Sequence, residues 1–444
     1  MTHFRLPAAL GRLVTALALA CAAPAALAGP AIVHWVAETG ARVYFVPGDT
    51  LPMLDVRVDF AAGSARDPQG QSGLASMARS LLDAGTEGMD EQAISEATAD
   101  TGARFGGGTD NDRAWFTVRT LSSVAERDAA LALAARLIAR PTYPANVLAR
   151  EKARASAGLR EALTRPATLA ERAFGKAVFG DHPYGVQASF ESIDAISRDA
   201  LQDFHRQHYT ARNTSVTIVG DASRADAERI AVALTRGLPA GEPMPALQPP
   251  QMPKRSVERI PHPSSQAHIL VGLPGMSRED PDYYTLLVGN HILGGSGLVS
   301  RLTREVRDAR GFAYSVYSYF TPQAVAGAFE IGLQTRGSQA DAALQVVEDV
   351  VAGFIAEGPT KAELEAAKAN LINGFGLRLD ANSKILEWVA MVGFYGLPLD
   401  WLDTYTQHVS EVTVEGIRDA FARRVQPQHF SVVVAGGDGD RAKP

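Results

Sequence analysis

The stretch GLASMARSLLDAGT, residues 73–86, carries three side chains whose spacing could support chemistry: Ser76, Arg79 and Ser80. On a helix, positions i, i+3 and i+4 share one face. A serine becomes a nucleophile only beside a group that takes its proton, and Arg79 is a permanent cation that accepts none. No G-x-S-x-G elbow occurs, and Ser296 in the run GGSG has no base beside it. His205 and His208 stand three apart in DFHRQHY without a nearby acidic third ligand, and are read as helix-surface or packing residues. His182, between glycine and proline in GDHPYG, is read as a turn residue. Neither H-x-x-E-H, H-E-x-x-H nor G-x-x-x-x-G-K-[ST] is present, so no zinc helix and no phosphate loop is expected.

The elements that must hold these residues follow from hydrophobic spacing. Leu74, Met77, Ala78, Leu81 and Leu82 make one apolar stripe, which predicts a helix over 73–86 with Ser76, Arg79, Ser80 and Asp83 on the opposite face. Residues 238–255, LPAGEPMPALQPPQMPKR, are proline-dense and aperiodic, as a stiff linker is. The parts on either side resemble each other. LQDFHRQHYTARNTSVTIVGD (201–221) is an amphipathic helix, a turn and a strand ending in Gly-Asp, and 417–438 repeats that order. Each half also opens with a strand, 53–60 and 267–274, and has helices in its middle, such as 125–139 and 338–357. The fold class is α+β: two homologous halves, 29–238 and 256–444, each an antiparallel sheet covered by helices, joined by the linker 239–255.

Residues 1–28 place Arg5 and Arg12 before an Ala/Leu-rich run that ends in Ala26-Leu27-Ala28, the pattern of a secretory signal cleaved near Ala28. Ala18-Leu19-Ala20 before Cys21 matches a lipobox poorly, and Cys21 is the sole cysteine. The expected mature protein is therefore periplasmic or secreted, without disulfides and without a membrane span. A net charge of −6, with 46% hydrophobic and 21% charged residues, describes a globular protein with no basic footprint for nucleic acid.

Five phrases then line up in order: AGSARDPQGQSGLA (62–75), TGARFGGGTDNDRAWF (101–116), FGDHPYG (179–185), 201–221 and LTREVRDARGFAYSV (302–316). With the duplicated halves and the linker, they resemble the pitrilysin/insulinase-type zinc peptidases (inverzincins), in particular short bacterial proteins similar to mitochondrial processing peptidase subunits. The resemblance implies that the helix after G-L-A carries H-x-x-E-H, two imidazoles holding zinc while the glutamate activates water. Here those positions are Ser76, Arg79 and Ser80, and the third ligand position falls on Gly158, with Glu151 matching the accompanying glutamate and Glu161 one turn beyond. Serine does not replace imidazole on zinc, and Arg79 repels a metal ion, so the site is degenerate and no metal is expected in this chain.

The resemblance also assigns Arg307 and Tyr314 to the family's arginine/tyrosine pair. A guanidinium and a phenol can donate hydrogen bonds to a peptide carbonyl and to the oxyanion formed on attack by water. Spacing alone would read Arg307 as a solvated helix charge and Tyr314 as a half-buried strand aromatic. The segment containing Gly106, Gly107, Gly108 and Thr109 resembles the edge strand that takes an extended peptide by strand addition, an ordinary glycine-loosened hairpin being the competing reading. Gly294 and Gly295, in ILGGSGLVSRL, belong either to a loop that bends to admit peptide or to a turn between two helices.

Two functions remain open at this level. One is a non-catalytic subunit, inactive alone, of an exported heterodimeric zinc endopeptidase. Arg307 and Tyr314 would then act in trans on the peptide substrate of an H-x-x-E-H partner, which would hold the zinc. The other is a homodimeric, catalytically inactive peptide-binding or scaffold protein of the same fold.

Overall fold

The computed structural model describes residues 29–441, so the expected signal segment lies outside the described residues. Alternating apolar positions build the first sheet. Its strands are β1 (Val33–Val36), β2 (Arg42–Pro47) and β3 (Met53–Phe60), then β6 (Arg104–Thr109), β7 (Ala114–Leu121) and β8 (Thr214–Gly220), with a separate small hairpin of β4 (Gly85–Thr86) and β5 (Met89–Asp90). The second sheet holds β9 (Ser256–Ile260), β10 (Gln266–Pro274), β11 (Val316–Phe320), β12 (Ala328–Arg336) and β13 (Ser431–Gly436).

Sheet order is β1-β2-β8-β3-β7-β6 in the first half and β11-β12-β10-β13-β9 in the second. Read from the other side, the second order is β9-β13-β10-β12-β11, which is the first without β1. In both, the last strand of the half inserts between two early ones, parallel to β2 or β9 and antiparallel to β3 or β10. The duplication expected from sequence is therefore topological, and each otherwise antiparallel sheet carries one parallel pair. β6 and β11 are equivalent edge strands. The parallel partners β2 and β9 carry no turn signal as clear as those of the hairpins.

Each sheet buries one face on helices of its own half. Leu54, Val56, Val58 and Phe60 of β3 meet the helices Val124–Ala139, Arg198–His208 and Arg224–Thr235 in one core. The other face of each sheet is covered by a helix from the opposite half. Pro166–Phe179 lies across β10 and β13, and Asn382–Tyr395 lies across β2, β3 and β8. Glycines set how closely these helices approach: a Cβ on Gly272 would stand 2.8 Å from Phe174 Cζ, and one on Gly393 2.5 Å from Tyr44 Cδ2. The exchange is pinned at Asp112, which is buried. It accepts hydrogen bonds from Tyr184 Oη, Tyr395 Oη (2.9 Å) and the Ala324 backbone N–H (2.9 Å), joining both halves at one carboxylate. Burial and that carboxylate push both tyrosines far above the ordinary phenol range.

Residues 239–255 contain no helix or strand. They run along the first half, held there by Ala211 N–H on Pro239 O (2.8 Å) and Met244 N–H on Asn213 Oδ1 (3.0 Å). Among the described residues no helix is long and apolar enough to cross a membrane.

Candidate functional site

The helix at the head of the first site spans Leu74–Ser80, shorter than the 73–86 expected from its apolar stripe. Asp67 starts it, accepting from Gly73 N–H and Ala75 N–H at 2.7 Å each, while burial pushes its carboxyl up to about 6. It stops because the chain must pass close to residues 142–144. A Cβ on Gly85 would stand 2.7 Å from Thr142 Oγ1, and Gly85 already pairs with Asp90. The stripe itself is buried as expected, Leu74, Met77, Ala78, Leu81 and Leu82 all facing the core.

Ser76 and Ser80 are exposed, and Ser80 Oγ donates back to Met77 O (3.1 Å). Arg79 is not on that outer face. It is 7% exposed, rolled beneath the edge of the sheet. Its Nε donates to Trp115 O on β7 and its Nη2 to Gly106 O on β6, with the guanidinium 4.9 Å from the centroid of the Phe116 ring. Burial lowers its pKa from the ordinary value. Helical spacing gives a side chain's direction at the Cβ, but a long arginine folds back where two carbonyls need a donor.

This placement explains the glycine run. Gly107 has φ +146°, and a Cβ there would stand 2.0 Å from Arg79 Nη2 and 2.1 Å from Trp115 O. A Cβ on Gly108 would stand 2.6 Å from Trp115 Cζ2, and one on Gly106 2.9 Å from Thr117 Oγ1. The three glycines make room for the guanidinium and its stacked neighbours, a packing role the sequence did not disclose. Thr109 pairs with Ala114 at the end of the same hairpin, and the outer edge of β6 pairs with no strand among the described residues.

These residues do not fit zinc. Two exposed hydroxyls flank a guanidinium already committed to two carbonyls. Gly158, on the helix Ala145–Ala162, offers no side chain and has nothing within 4 Å of where a Cβ would be. Glu151 is paired with Arg150 (2.9 Å), and Glu161 is exposed. Among the described residues no group of three His, Cys, Asp or Glu side chains could hold a metal ion. His205 and His208 are buried packing residues: His205 Nε2 meets Ile138 O at 2.8 Å and its ring stacks on Tyr209. Burial brings both imidazoles down to about 4. His182 sits in its turn, Nδ1 accepting from Tyr184 N–H (3.1 Å).

In the second half Arg307 lies on a π-helical turn, Thr303–Asp308, and Gly311 (φ +64°) reverses the chain. Tyr314 precedes β11 instead of lying within it, and is 88% exposed. The two side chains meet, with Arg307 Cζ 5.4 Å from the centroid of the Tyr314 ring. The Arg307 Nε stands 4.0 Å from Asp308 Oδ1, a long ion pair, and the Tyr314 hydroxyl has no hydrogen-bond partner among the described residues. Gly294 and Gly295 form a π-helical continuation of the helix Tyr283–Asn290. A Cβ on Gly294 would stand 2.4 Å from Ser318 Oγ, so that glycine serves close packing against β11. Exposed Leu298 and Val299 follow it.

Sequence reading missed the buried charges on β3. Asp55, Arg57 and Asp59 occupy every second position of MLDVRVDF and all are buried. That alternation was the available signal.

Two family models match the chain: one described as Insulinase (Peptidase family M16) over residues 49–188, and one described as Peptidase M16 inactive domain over 195–371. An uncharacterized zinc protease of Mycobacterium leprae is 31% identical over 283 residues. That match covers 59% of this chain and only 60% of the relative's length. A Helicobacter pylori protein described as a non-peptidase homolog is 24% identical over 85% of this chain and 87% of its own. The crystal structure of a peptidase M16 inactive domain from Pseudomonas fluorescens is similar at a TM-score of 0.88 and 38% identity, over 91% of this chain and 97% of that one.

Proposed function

This chain belongs to the insulinase family of M16 peptidases, and from that premise we propose that it is a non-catalytic subunit of an exported zinc endopeptidase. Its partner would be an H-x-x-E-H homologue that supplies the metal and the base, and its own role would be to bind the substrate carbonyl through Arg307 and Tyr314. The observation that carries this reading is the contrast in availability. Arg79 and its neighbours have been turned into packing, while Arg307 and Tyr314 lie together with Tyr314 open to solvent. Donors held in place before the reaction stabilise an oxyanion without reorganising, which is how such a pair contributes. The expected signal segment supports an exported location.

The test is the rate at which an H-x-x-E-H homologue from the same organism cleaves a fluorogenic peptide, with and without this protein. Strong stimulation, no cleavage by this chain alone, and loss of stimulation in Arg307→Ala or Tyr314→Phe are expected. An unchanged rate with every such homologue would overturn the assignment in favour of a homodimeric peptide-binding or scaffold protein. The refitting of Arg79 as a structural clamp is the observation that favours this second reading.

A further inference from the structure

The helix that each half receives from the other roofs a cavity. On Asn382–Tyr395, Ser383, Leu386 and Glu387 line one beside edge strand β6; on Pro166–Phe179, Ala167, Ala170 and Glu171 line one beside edge strand β11. The cavity beside β11 is the larger, about 640 Å³ against about 330 Å³.

Strand register matches the two floors row by row. Leu54 stands opposite Gly220 and Ala267 opposite Gly436, the last residues of β8 and β13, so Asp55 corresponds to His268. On the neighbouring strand Asp55 faces Arg119, and His268 faces Gln334. One row further out, Met53 faces Leu121 in the first half and Gln266 faces Arg336 in the second. The first floor closes on itself, Arg119 Nε donating to Asp55 Oδ1 at 2.7 Å. In the second floor an imidazole replaces that carboxylate, and the guanidinium stands one row further out.

Gln266, His268, Gln334 and Arg336 all line the larger cavity. Among the described residues none of these four side chains makes a hydrogen bond or an ion pair. Arg336 is thus a cation without a carboxylate. Burial, and then the charge of His262, lowers the His268 imidazole from its ordinary value, so near neutral pH it is an N–H donor. Among the described residues the lining holds one carboxylate, Glu171, and it lies away from Arg336. The roof helix begins beside Gly436, where a Cβ would stand 3.4 Å from Pro166 Cβ. It passes over Gly272, where a Cβ would stand 2.8 Å from Phe174 Cζ. Glu171 therefore falls near Leu270, about 13 Å along the strand from the row of Gln266 and Arg336.

Strand β12 ends at Arg336, and the turn Gly337–Gln339 follows. Gly337 packs so closely on Gly437 that a Cβ would stand 1.9 Å from Gly437 O, and Gln339 lines the same end of the cavity. A chain laid along this floor has no row beyond Arg336 to follow, so it ends there. We infer that this end of the cavity is a subsite for the C-terminal carboxylate of a short peptide, held by Arg336 and by donors from His268, Gln266 and Gln334. The ligand's carboxylate would take the place that Asp55 fills in the first half. Tyr314 lines the same cavity, so the carbonyl bound there and the carboxylate at Arg336 belong to one peptide. This assignment deepens the peptide-binding part of the function proposed above and rests on it.

The experiment is fluorescence anisotropy of the full chain, without partner, against rhodamine-labelled hexa-alanine bearing either a free C-terminus or a C-terminal amide. The free acid is expected to bind about tenfold tighter, the order of one charge-assisted hydrogen-bonded pair. Arg336→Gln is expected to bring the two within about twofold and to leave the thermal midpoint unchanged, since that side chain is exposed. An amidated peptide with one internal alanine replaced by glutamate should bind no better than the neutral amide. Equal binding of acid and amide, no binding of either, a preference that survives Arg336→Gln, or a glutamate peptide that matches the free acid would overturn the subsite. Because the partner is absent, that failure is separate from failure of the subunit reading, which is decided by stimulation of cleavage.

Discussion

β6 and β11 are equivalent edges of duplicated sheets, and they have diverged in opposite directions. Around β6 the functional groups have turned inward. Arg79 spends its donors on Trp115 O and Gly106 O, and three glycines make way for it. Around β11 they face outward: Tyr314 is 88% exposed and Tyr319 52% exposed. A group that has a buried partner within its own chain stabilises the fold; a group without one is left to meet something else. The same topology thus carries a structural edge in one half and an available one in the other.

The largest effect should come from restoring at position 79 the residue that the family resemblance implies. Arg79→Glu places a carboxylate against two backbone carbonyls, and an uncompensated buried charge costs about 4 kcal/mol. Denaturant unfolding should show that loss, without zinc binding by isothermal titration. A variant of unchanged stability would break the description of this edge as structural. Gly107→Ala should cost about 3 kcal/mol through the close contacts with Arg79 and Trp115 O.

An effect of similar size separates the halves by pH. The repeated helices place His205 in the first half where Phe421 stands in the second. Burial holds the folded imidazole near 4, against 6.5 in the unfolded chain, so below 6.5 the unfolded state takes up a proton that the folded state does not. The stability is complete above pH 6.5 and is lost as pH falls toward about 4, by up to about 3 kcal/mol. His205→Gln should flatten that slope in thermal unfolding measured across the window, His208 contributing in the same direction. An unaltered slope would mean that the buried His205 imidazole does not govern acid stability.

At β11 the effects should appear in function and not in folding. Tyr314→Phe is expected to reduce stimulation of a partner peptidase by about a hundredfold, the order for one lost oxyanion donor, with unfolding shifted by less than about 0.5 kcal/mol. A large stability loss with unchanged stimulation would reverse the comparison. The smallest effect belongs to Gly311→Ala, which strains a residue at φ +64° in open space and should cost only about 1 kcal/mol in the same unfolding assay.

How much of this was legible depended on range. The absence of H-x-x-E-H is written in Ser76, Arg79 and Ser80, because ligand chemistry belongs to residue type and the helix fixes the spacing. The duplicated halves show in the repeat of 201–221 at 417–438, because strand and helix periods are local. Arg307 and Tyr314 were named from a phrase, and the six positions between them include the glycine that turns one back toward the other. Helix length was not legible for 73–86, since the apolar stripe continues through residues that a distant segment at 142–144 forces into a turn.

By itself the sequence determined which groups were available and which chemistry was excluded. Only the tertiary structure decided which of them already had partners. Arg79 meets two carbonyls on strands more than 25 residues away, and the helix that roofs each sheet comes from the opposite half. The physical reason is that a buried polar group is satisfied by whatever the packed chain brings within about 3 Å, and that neighbour is set by long-range topology.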